Sequence, residues 1–388
     1  MTTGQHYIFM IILTVNTGSS SVRLAAFSGD SGALTQLASA RYELSDSEPE
    51  IMLKAFLDAH GLTEIKVAVH RVVHGGMNLT ASCLIDQEVE LEIGRVAPLA
   101  PLHNPKALRW VRAAGEVLGT GVSQVAVFDT AFFTDLPEVA RTYALPHMLA
   151  EKHGLRRYGF HGLAHHGMWQ SWQGIQPGAG RQGRIISLQL GAGCSITATD
   201  NGSPRDTSMG FSPLEGLVMA TRSGNVDPGL LTFLLRHENL TPEQLDQLLN
   251  DRAGLLGLSG ISADVRDLLA STDKLAQLAL NVYCYQARKY IGAYFSVLGG
   301  AEAVVFGGGV GENVPDVREK ILAGMEWCGI DIDLRANRDA RGLSCISSGA
   351  SRVEVWVVPV DEAAGLAREG AALMGKPMQG NLRGYESG

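Results

Sequence analysis

Cysteine is sparse and scattered: Cys83, Cys194, Cys284, Cys328 and Cys345 are five in 388 residues. The count is odd and no two share C-x-x-C spacing, which argues against a disulfide framework or a structural zinc site. Long apolar runs are also lacking. The longest near the start, Tyr7 to Val15, is about half the ~20 residues that a membrane-spanning helix needs. No basic segment precedes it and Asn16-Thr17-Gly18 follows it, so it reads as a buried strand rather than a signal peptide. Charged residues are 19%, below the ~25% of ordinary soluble proteins. Apolar residues reach 45%, the reverse of a disordered chain. With 32 Lys and Arg against 40 Asp and Glu, the net charge of −8 offers no general attraction to nucleic acid or to an anionic membrane. The cytoplasm is the expected compartment. Neither GxxxxGK[ST] nor a well-placed GxGxxG occurs, which removes the two commonest glycine signatures for nucleotides.

Glycine is abundant. Its 46 residues exceed the ~7% average and follow no collagen period, so tight turns and close backbone approach to ligands are expected. The length suggests two domains. Ile11–Val15 and Val22–Phe27 are apolar runs separated by Asn16-Thr17-Gly18-Ser19-Ser20-Ser21, a strand–turn–strand signal. The pattern returns at Ile185–Leu190, Gly191-Ala192-Gly193 and Cys194–Thr199, with Asn201-Gly202 marking a further hairpin turn. Two copies suggest a duplicated domain, although glycine hairpins are common in unrelated folds. Further strands are expected at Val67–Val73, Val125–Phe128, Ala303–Phe306 and Val353–Val358. Helices are expected at Pro105–Leu118, Pro242–Leu249, Thr272–Leu298, Val314–Ala323 and Asp361–Leu373. Alternating strands and helices give an α/β class. The Gly-rich tail after Lys376 reads as frayed, and Met10 is a possible alternative start.

Three glycine turns, the third at Gly307–Gly311, each follow a buried strand. Such turns present backbone N–H groups to phosphate oxygens, or are ordinary tight turns. Arg71, in His70-Arg71-Val72-Val73-His74-Gly75-Gly76, could hold a carboxylate or phosphate in bidentate fashion, or serve a structural ion pair. Asp129 stands at the carboxyl end of a strand, where α/β sheets place ligands; a turn-capping role is the alternative. His161 lies between two glycines in Arg156-Arg157-Tyr158-Gly159-Phe160-His161-Gly162 and could donate to a developing oxyanion. His165 and His166 read as structural. Arg222 sits in another turn-rich stretch. Two arginines and a histidine suit phosphoryl transfer, where charge spreads over equatorial oxygens. Glu362 could bind Mg²⁺, or simply favour a helix N-terminus.

Taken together, NTGSSS (Asn16–Ser21), HRVVHGG (His70–Gly76), APLHNP (Ala100–Pro105), VFDTAF (Val127–Phe132), RRYGFHG (Arg156–Gly162), DTSMGFSPLEGLVMATRSG (Asp206–Gly224), GGGVGEN (Gly307–Asn313) and Asp361-Glu362 resemble the acetokinase family, which includes acetate, propionate and butyrate kinases. The resemblance runs from about Ile11 to Leu373. It implies the actin/sugar-kinase fold, two ribonuclease-H-like α/β domains with the active site in the cleft between them. Residues 1–133, completed by 364–388, would form the first domain, and residues 134–363 the nucleotide-binding second. It implies Mg²⁺ (or Mn²⁺) near Asn16 and Glu362, with Arg71 and Arg222 on the carboxylate and the transferring phosphoryl group. His161 would stabilise the transition state and Asp129 would be the essential carboxylate. Val73, Leu102, Phe160 and Pro213 would form a small pocket for the acyl methyl group. Arg23, Gln189, Leu190, Gly191, Ala192, Gly193, Asp264, Val265, Arg266, Gly309, Val310, Gly311, Glu312 and Asn313 would meet ATP or ADP, the last five as a closing loop. Ser19, Ser21 and His103 resemble further cleft residues. A homodimer is implied, with no nucleic-acid or membrane partner.

The chain departs from the family's usual pattern in places. Arg23 replaces a lysine, Gln189 and Ala192 replace the His and Asn of an HLGNG turn, Asn225 replaces an Asp, and Ala363 follows Glu362 where a second acid is usual. Lost polar contacts at the phosphate turn could each be worth ~1 kcal/mol. The expected activity is reversible phosphoryl transfer from ATP to acetate. The alternatives are a propionate or butyrate preference, pyrophosphate as donor, or a weakened nucleotide-binding member.

Overall fold

The computed structural model describes residues 10–18, 21–29, 34–43, 48–175 and 182–375. The nine residues before Met10, Ser19 and the tail after Lys376 lie outside the described residues. The chain divides into two compact units. The first comprises Met1–Val72, Ala81–Phe128 and Ala363–Gly388, and the second Val73–Thr80 and Asp129–Glu362.

In the first unit, β1 (Met10–Thr17), β2 (Ser21–Gly29), β3 (Leu34–Glu43), β4 (Ile65–Val72), β5 (Cys83–Leu84) and β6 (Ser123–Phe128) form one sheet in the order β3-β2-β1-β4-β6-β5. β1 and β2 are antiparallel, with Asn16 opposite Arg23. β1–β4 and β4–β6 are parallel. The central strands are near-continuous apolar runs because both faces are covered. Leu13, Val15, Leu24 and Ala68 pack with Phe56 and Trp110 from the helices Pro49–His60 and Asn104–Leu118. Gly370 of the helix Glu362–Met374 lies so close to Val69 that a Cβ would overlap it.

In the second unit, β7 (Arg184–Leu190), β8 (Cys194–Asp200), β9 (Ser203–Thr207), β10 (Ala303–Gly307), β11 (Ser344–Cys345) and β12 (Glu354–Val357) form a sheet in the order β11-β12-β10-β7-β8-β9. β7–β8 and β8–β9 are antiparallel, β7–β10 and β10–β12 parallel, and β11–β12 antiparallel. Read from the other edge, this is the order and strand polarity of the first sheet. The duplication suggested by two glycine hairpins is therefore a duplication of the whole six-stranded topology. Asn201 and Gly202, at φ 49° and 80°, make the hairpin turn that their dipeptide predicts.

One expected turn is something else. Gly307–Gly311 is not a turn, since residues Gly308–Asn313 are helical. Gly308 adopts φ +77°, and a Cβ there would lie 2.6 Å from Leu190 O, so only glycine can enter this helix directly from β10. The Glu312 carboxylate accepts from Gly308 N at 3.0 Å and closes the first turn.

Candidate active site

The first unit places Asn16 and Arg71 side by side. Val15 pairs with His70 across the parallel β1–β4 ladder, so the next residues on each strand are neighbours. Arg71 Nη1 donates to Asn16 Oδ1 at 3.0 Å. Arg23 is opposite Asn16 on β2 and exposed. Leu102 is 50% exposed, just before the helix Asn104–Leu118.

The second unit brings His161, Gly193 and Arg222 together. A Cβ on Gly193 would stand 3.5 Å from Arg222 Nη1 and 3.5 Å from both Cε1 and Nε2 of His161. The absence of a side chain at Gly193 thus leaves a small concave space bounded by one cationic head and one imidazole edge. Arg222 donates to Pro213 O at 3.1 Å and reaches Met219 Sδ at 3.5 Å. It makes no ion pair among the described residues. Burial therefore dominates and pulls its pKa below arginine's ordinary value, with Cys194 and Asp251 offsetting this in part. A partly buried guanidinium with no carboxylate beside it is costly, and suits an anionic ligand.

His161 is held in an unusual backbone state, φ +59°, a conformation that costs a non-glycine residue of order 1–3 kcal/mol and clusters at functional sites. Its Nδ1 meets Ser195 Oγ at 2.9 Å, which leaves Nε2 as the nitrogen facing Gly193. Ser195 also meets His165 Nε2 at 2.7 Å, and His165 Nδ1 meets Ser187 Oγ at 2.7 Å. His165 is fully buried, and desolvation, with His161 adding to it, pushes its pKa well below the usual histidine value. The structural reading of His165 fits this chain of contacts. The sequence does not single out Ser187 and Ser195, because a serine within a strand carries no local sign of what its hydroxyl will meet.

Asp129 opens the turn Asp129–Phe133 directly after β6 and is buried. Its carbonyl oxygen lies so close to Gly162 that a Cβ there would overlap it, which seats the residue after His161 against this turn. Of the four acyl-pocket candidates, Val73, Phe160 and Pro213 belong to the second unit and Leu102 to the first. Phe160 is 1% exposed and packs edge-on against the His74 ring at 5.5 Å between centroids.

Besides Arg23 on β2, the nucleotide candidates fall into three places. Gln189, the last residue but one of β7, stands beside Gly307, and its buried Oε1 has no partner among the described residues. Leu190 is core, and the Gly191-Ala192-Gly193 turn is tied to the Arg222 segment by Ala220 N donating to Ala192 O at 3.1 Å. Asp264 caps the helix Val265–Ala270, and Arg266 holds its carboxylate from Nη2 at 2.6 Å and from Nε at 3.0 Å. That pairing brings the Asp264 pKa down to about 2, and Val265 is buried. Gly309, Val310, Gly311, Glu312 and Asn313 form the helix described above rather than a loop. Glu312 Oε1 accepts from Val360 N at 3.1 Å as well as from Gly308, so its observed role is to fasten the helix to the segment after β12.

For a metal ion, no group of three or more His, Cys, Asp or Glu is placed to act as a cage among the described residues. Asn16 offers one amide oxygen, which already accepts from Arg71. Glu362 offers one carboxylate at the head of a helix. This sparse donor set fits an ion that arrives on substrate phosphates, which is how Mg²⁺ is commonly bound.

Residues 50–368 match the model of the acetokinase family. The acetate kinase of Chloroherpeton thalassium is 48% identical over 314 residues, spanning 79% of this chain and 75% of that protein. The acetate kinase of Heliobacterium modesticaldum is 40% identical, with 93% of this chain and 98% of that protein covered. Among solved structures, Porphyromonas gingivalis acetate kinase superposes with a TM-score of 0.82 at 38% identity over 94% of this chain and all of that one (100%). A propionate kinase from Francisella tularensis gives 0.85 at 32% identity, covering 93% and 98%. The topology and these likenesses agree on the actin/sugar-kinase fold that the motifs imply, and the chain belongs to the acetokinase family.

Proposed function

We propose that this protein is an acetate kinase that moves the γ-phosphoryl group of ATP reversibly to acetate, giving acetyl phosphate and ADP. The observation that carries the reading is the Arg222 guanidinium, held without a carboxylate partner beside Gly193 and His161 Nε2. Acetate is already deprotonated at neutral pH, so no general base is required. One carboxylate oxygen forms a bond to the γ-phosphorus in line with the bond that breaks, and ADP leaves with the bridging oxygen. The protein's task is positioning and charge neutralisation. Arg71 holds the acetate carboxylate, Arg222 the equatorial phosphoryl oxygens, and His161 donates from Nε2 when Ser195 donates to Nδ1. Asp129 acts as an orienter rather than a base. Mg²⁺ bound with the nucleotide near Glu362 would neutralise phosphate charge. The two units are taken as the two ribonuclease-H-like domains, with Gly191–Gly193 and Asp264–Arg266 on the nucleotide. Val73, Leu102, Phe160 and Pro213 would shape the acyl pocket. The cytoplasm supplies ATP and is the inferred compartment.

A homodimer is part of the same reading. The helix Pro228–His237 has no buried residue, and Leu230 and Phe233 are 47% and 53% exposed, a face that a second copy would cover. Light scattering on the purified protein tests this, with a monomer as the contrary outcome.

The reaction is tested by trapping acyl phosphate with hydroxylamine, using acetate and propionate as acceptors. Hydroxamate with ATP and acetate is expected. Arg222→Ala should lower kcat by roughly 10²–10³-fold, the usual effect of removing one electrostatic stabiliser. A variant with near-normal turnover would remove Arg222 from the site.

A further inference from the structure

Arg222 is aimed by its own loop, through Pro213 O at 3.1 Å. The far end of that loop is closed by Asn225, whose N donates to Gly216 O at 3.0 Å and whose Oδ1 accepts from Gly216 N at 2.9 Å. Asn225 Nδ2 also donates to Tyr290 Oη at 2.7 Å. The near end is fixed by one carboxylate. Glu215 Oε1 accepts from Arg157 Nη2 at 2.8 Å, and Glu215 Oε2 accepts a hydrogen bond from the Tyr143 hydroxyl. Tyr143 Oη in turn accepts from Phe211 N at 2.8 Å. Arg157 directs its remaining donors to the carbonyls of Thr207 at 3.0 Å, Ser208 at 3.3 Å and Ala140 at 3.2 Å. Gly210 lies against both Glu215 and Tyr143 so closely that a Cβ would overlap them. Burial opposes the Arg157 charge, but Glu215 and Tyr143 outweigh it and hold its pKa above the ordinary value. Burial and the same carboxylate raise the Tyr143 phenol. Arg157 thus stays charged and Tyr143 stays protonated throughout the working range.

We propose that Glu215 is a positioning residue, which ties the segment bearing Pro213 and Arg222 to Arg157 and Tyr143 and so sets where the Arg222 guanidinium stands. It acts through Arg222, and its effect on turnover rests on the phosphoryl-transfer reading above. A misplaced charge stabiliser lowers the rate more than it weakens ground-state binding.

Glu215→Gln keeps the volume and one acceptor but sets an amide against the Tyr143 proton or the Arg157 donor. It should lower kcat by on the order of 10- to 100-fold with KM for ATP within about twofold. Deuterium exchange at the Phe211 amide and through residues 211–222 should speed up. In an Arg222→Ala background, Glu215→Gln should cost nothing further, because the residue it positions is gone. Normal kcat with unchanged exchange overturns the proposal. So does an equal proportional loss in both backgrounds, which marks a general structural role. Should Glu215→Gln fail to fold, Tyr143→Phe, which leaves the Arg157–Glu215 pair in place, is read in the same way. Absence of hydroxamate from the unaltered protein refutes the phosphoryl-transfer reading instead. In that case the exchange comparison alone decides whether Glu215 holds the segment.

Discussion

His161 combines two demands that pull against each other. Its backbone is left-handed at φ +59°, where glycine and asparagine are at ease and histidine is not. Its ring must meanwhile hold Ser195 through Nδ1 and present Nε2 to the space beside Gly193. His161→Asn separates the two, since asparagine accepts the backbone conformation while lacking the second nitrogen. The variant should fold with a melting temperature close to that of the parent and lose roughly 10²-fold in kcat. Retained activity would place the phosphoryl group away from this histidine. The departures at Gln189 and Ala192 are of a different kind. Ala192 contributes its carbonyl to Ala220, which any side chain would allow, whereas Gln189 carries a buried acceptor with no partner among the described residues.

At the scale of the element, the helix Gly162–Ile175 shows how glycine's role depends on what faces it. Gly162 abuts the Asp129 carbonyl, and a Cβ would also come within 2.7 Å of Phe132 Cβ. Gly167, in the same helix, has nothing within 4 Å of a Cβ position. Gly162→Ala should therefore destabilise by about 1–3 kcal/mol through overpacking, while Gly167→Ala should stabilise by about 0.5–1 kcal/mol. Urea midpoints of the two variants should move in opposite directions, and a common direction would refute the close approach at Asp129. The same dependence explains what the sequence could not reveal. The β1–β2 and β7–β8 hairpins were legible because apolar runs flank glycine turns. β3 was not, since Thr35, Gln36 and Leu37 leave it largely exposed at a sheet edge. The Gly308–Asn313 helix was hidden by glycines that ordinarily mark turns. The candidate arginines, His161 and Asp129 stood in recognisable motifs. The Ser195 contact that holds His161, and the Tyr143–Glu215 contact spanning 72 positions, exist only after the chain has folded.

Across the whole molecule, buried histidines make stability depend on pH, and they are shared unequally between the units. The first unit carries His70, fully buried on β4 with Nε2 on Gln124 Oε1 at 2.8 Å. Desolvation lowers its pKa to about 4, against a smaller opposing effect of that hydrogen bond. The second unit carries His74, lowered to about 4 by burial, and His165, lowered well below the usual histidine value by burial. Unfolded histidines bind protons below about pH 6.5. Folded His70 and His74 remain neutral until about pH 4 and His165 is likewise held neutral, so stability is full above pH 6.5 and is lost as pH falls below it. Each such proton costs about 1.4 kcal/mol per pH unit. A raised pKa at the partly buried Asp206 works in the opposite sense within the second unit, but one carboxylate does not cancel two histidines. The second unit should therefore lose stability faster than the first between pH 6.5 and 5. Hydrogen exchange followed by peptide over that range reads the two units separately. Protection should fall earlier in β7, β8 and β10 than in β1, β2 and β4. His165→Asn should flatten the second unit's response by about one proton. Equal slopes in the two units, or protection that does not change from pH 7 to 5, would mean that these imidazoles are not held neutral by burial.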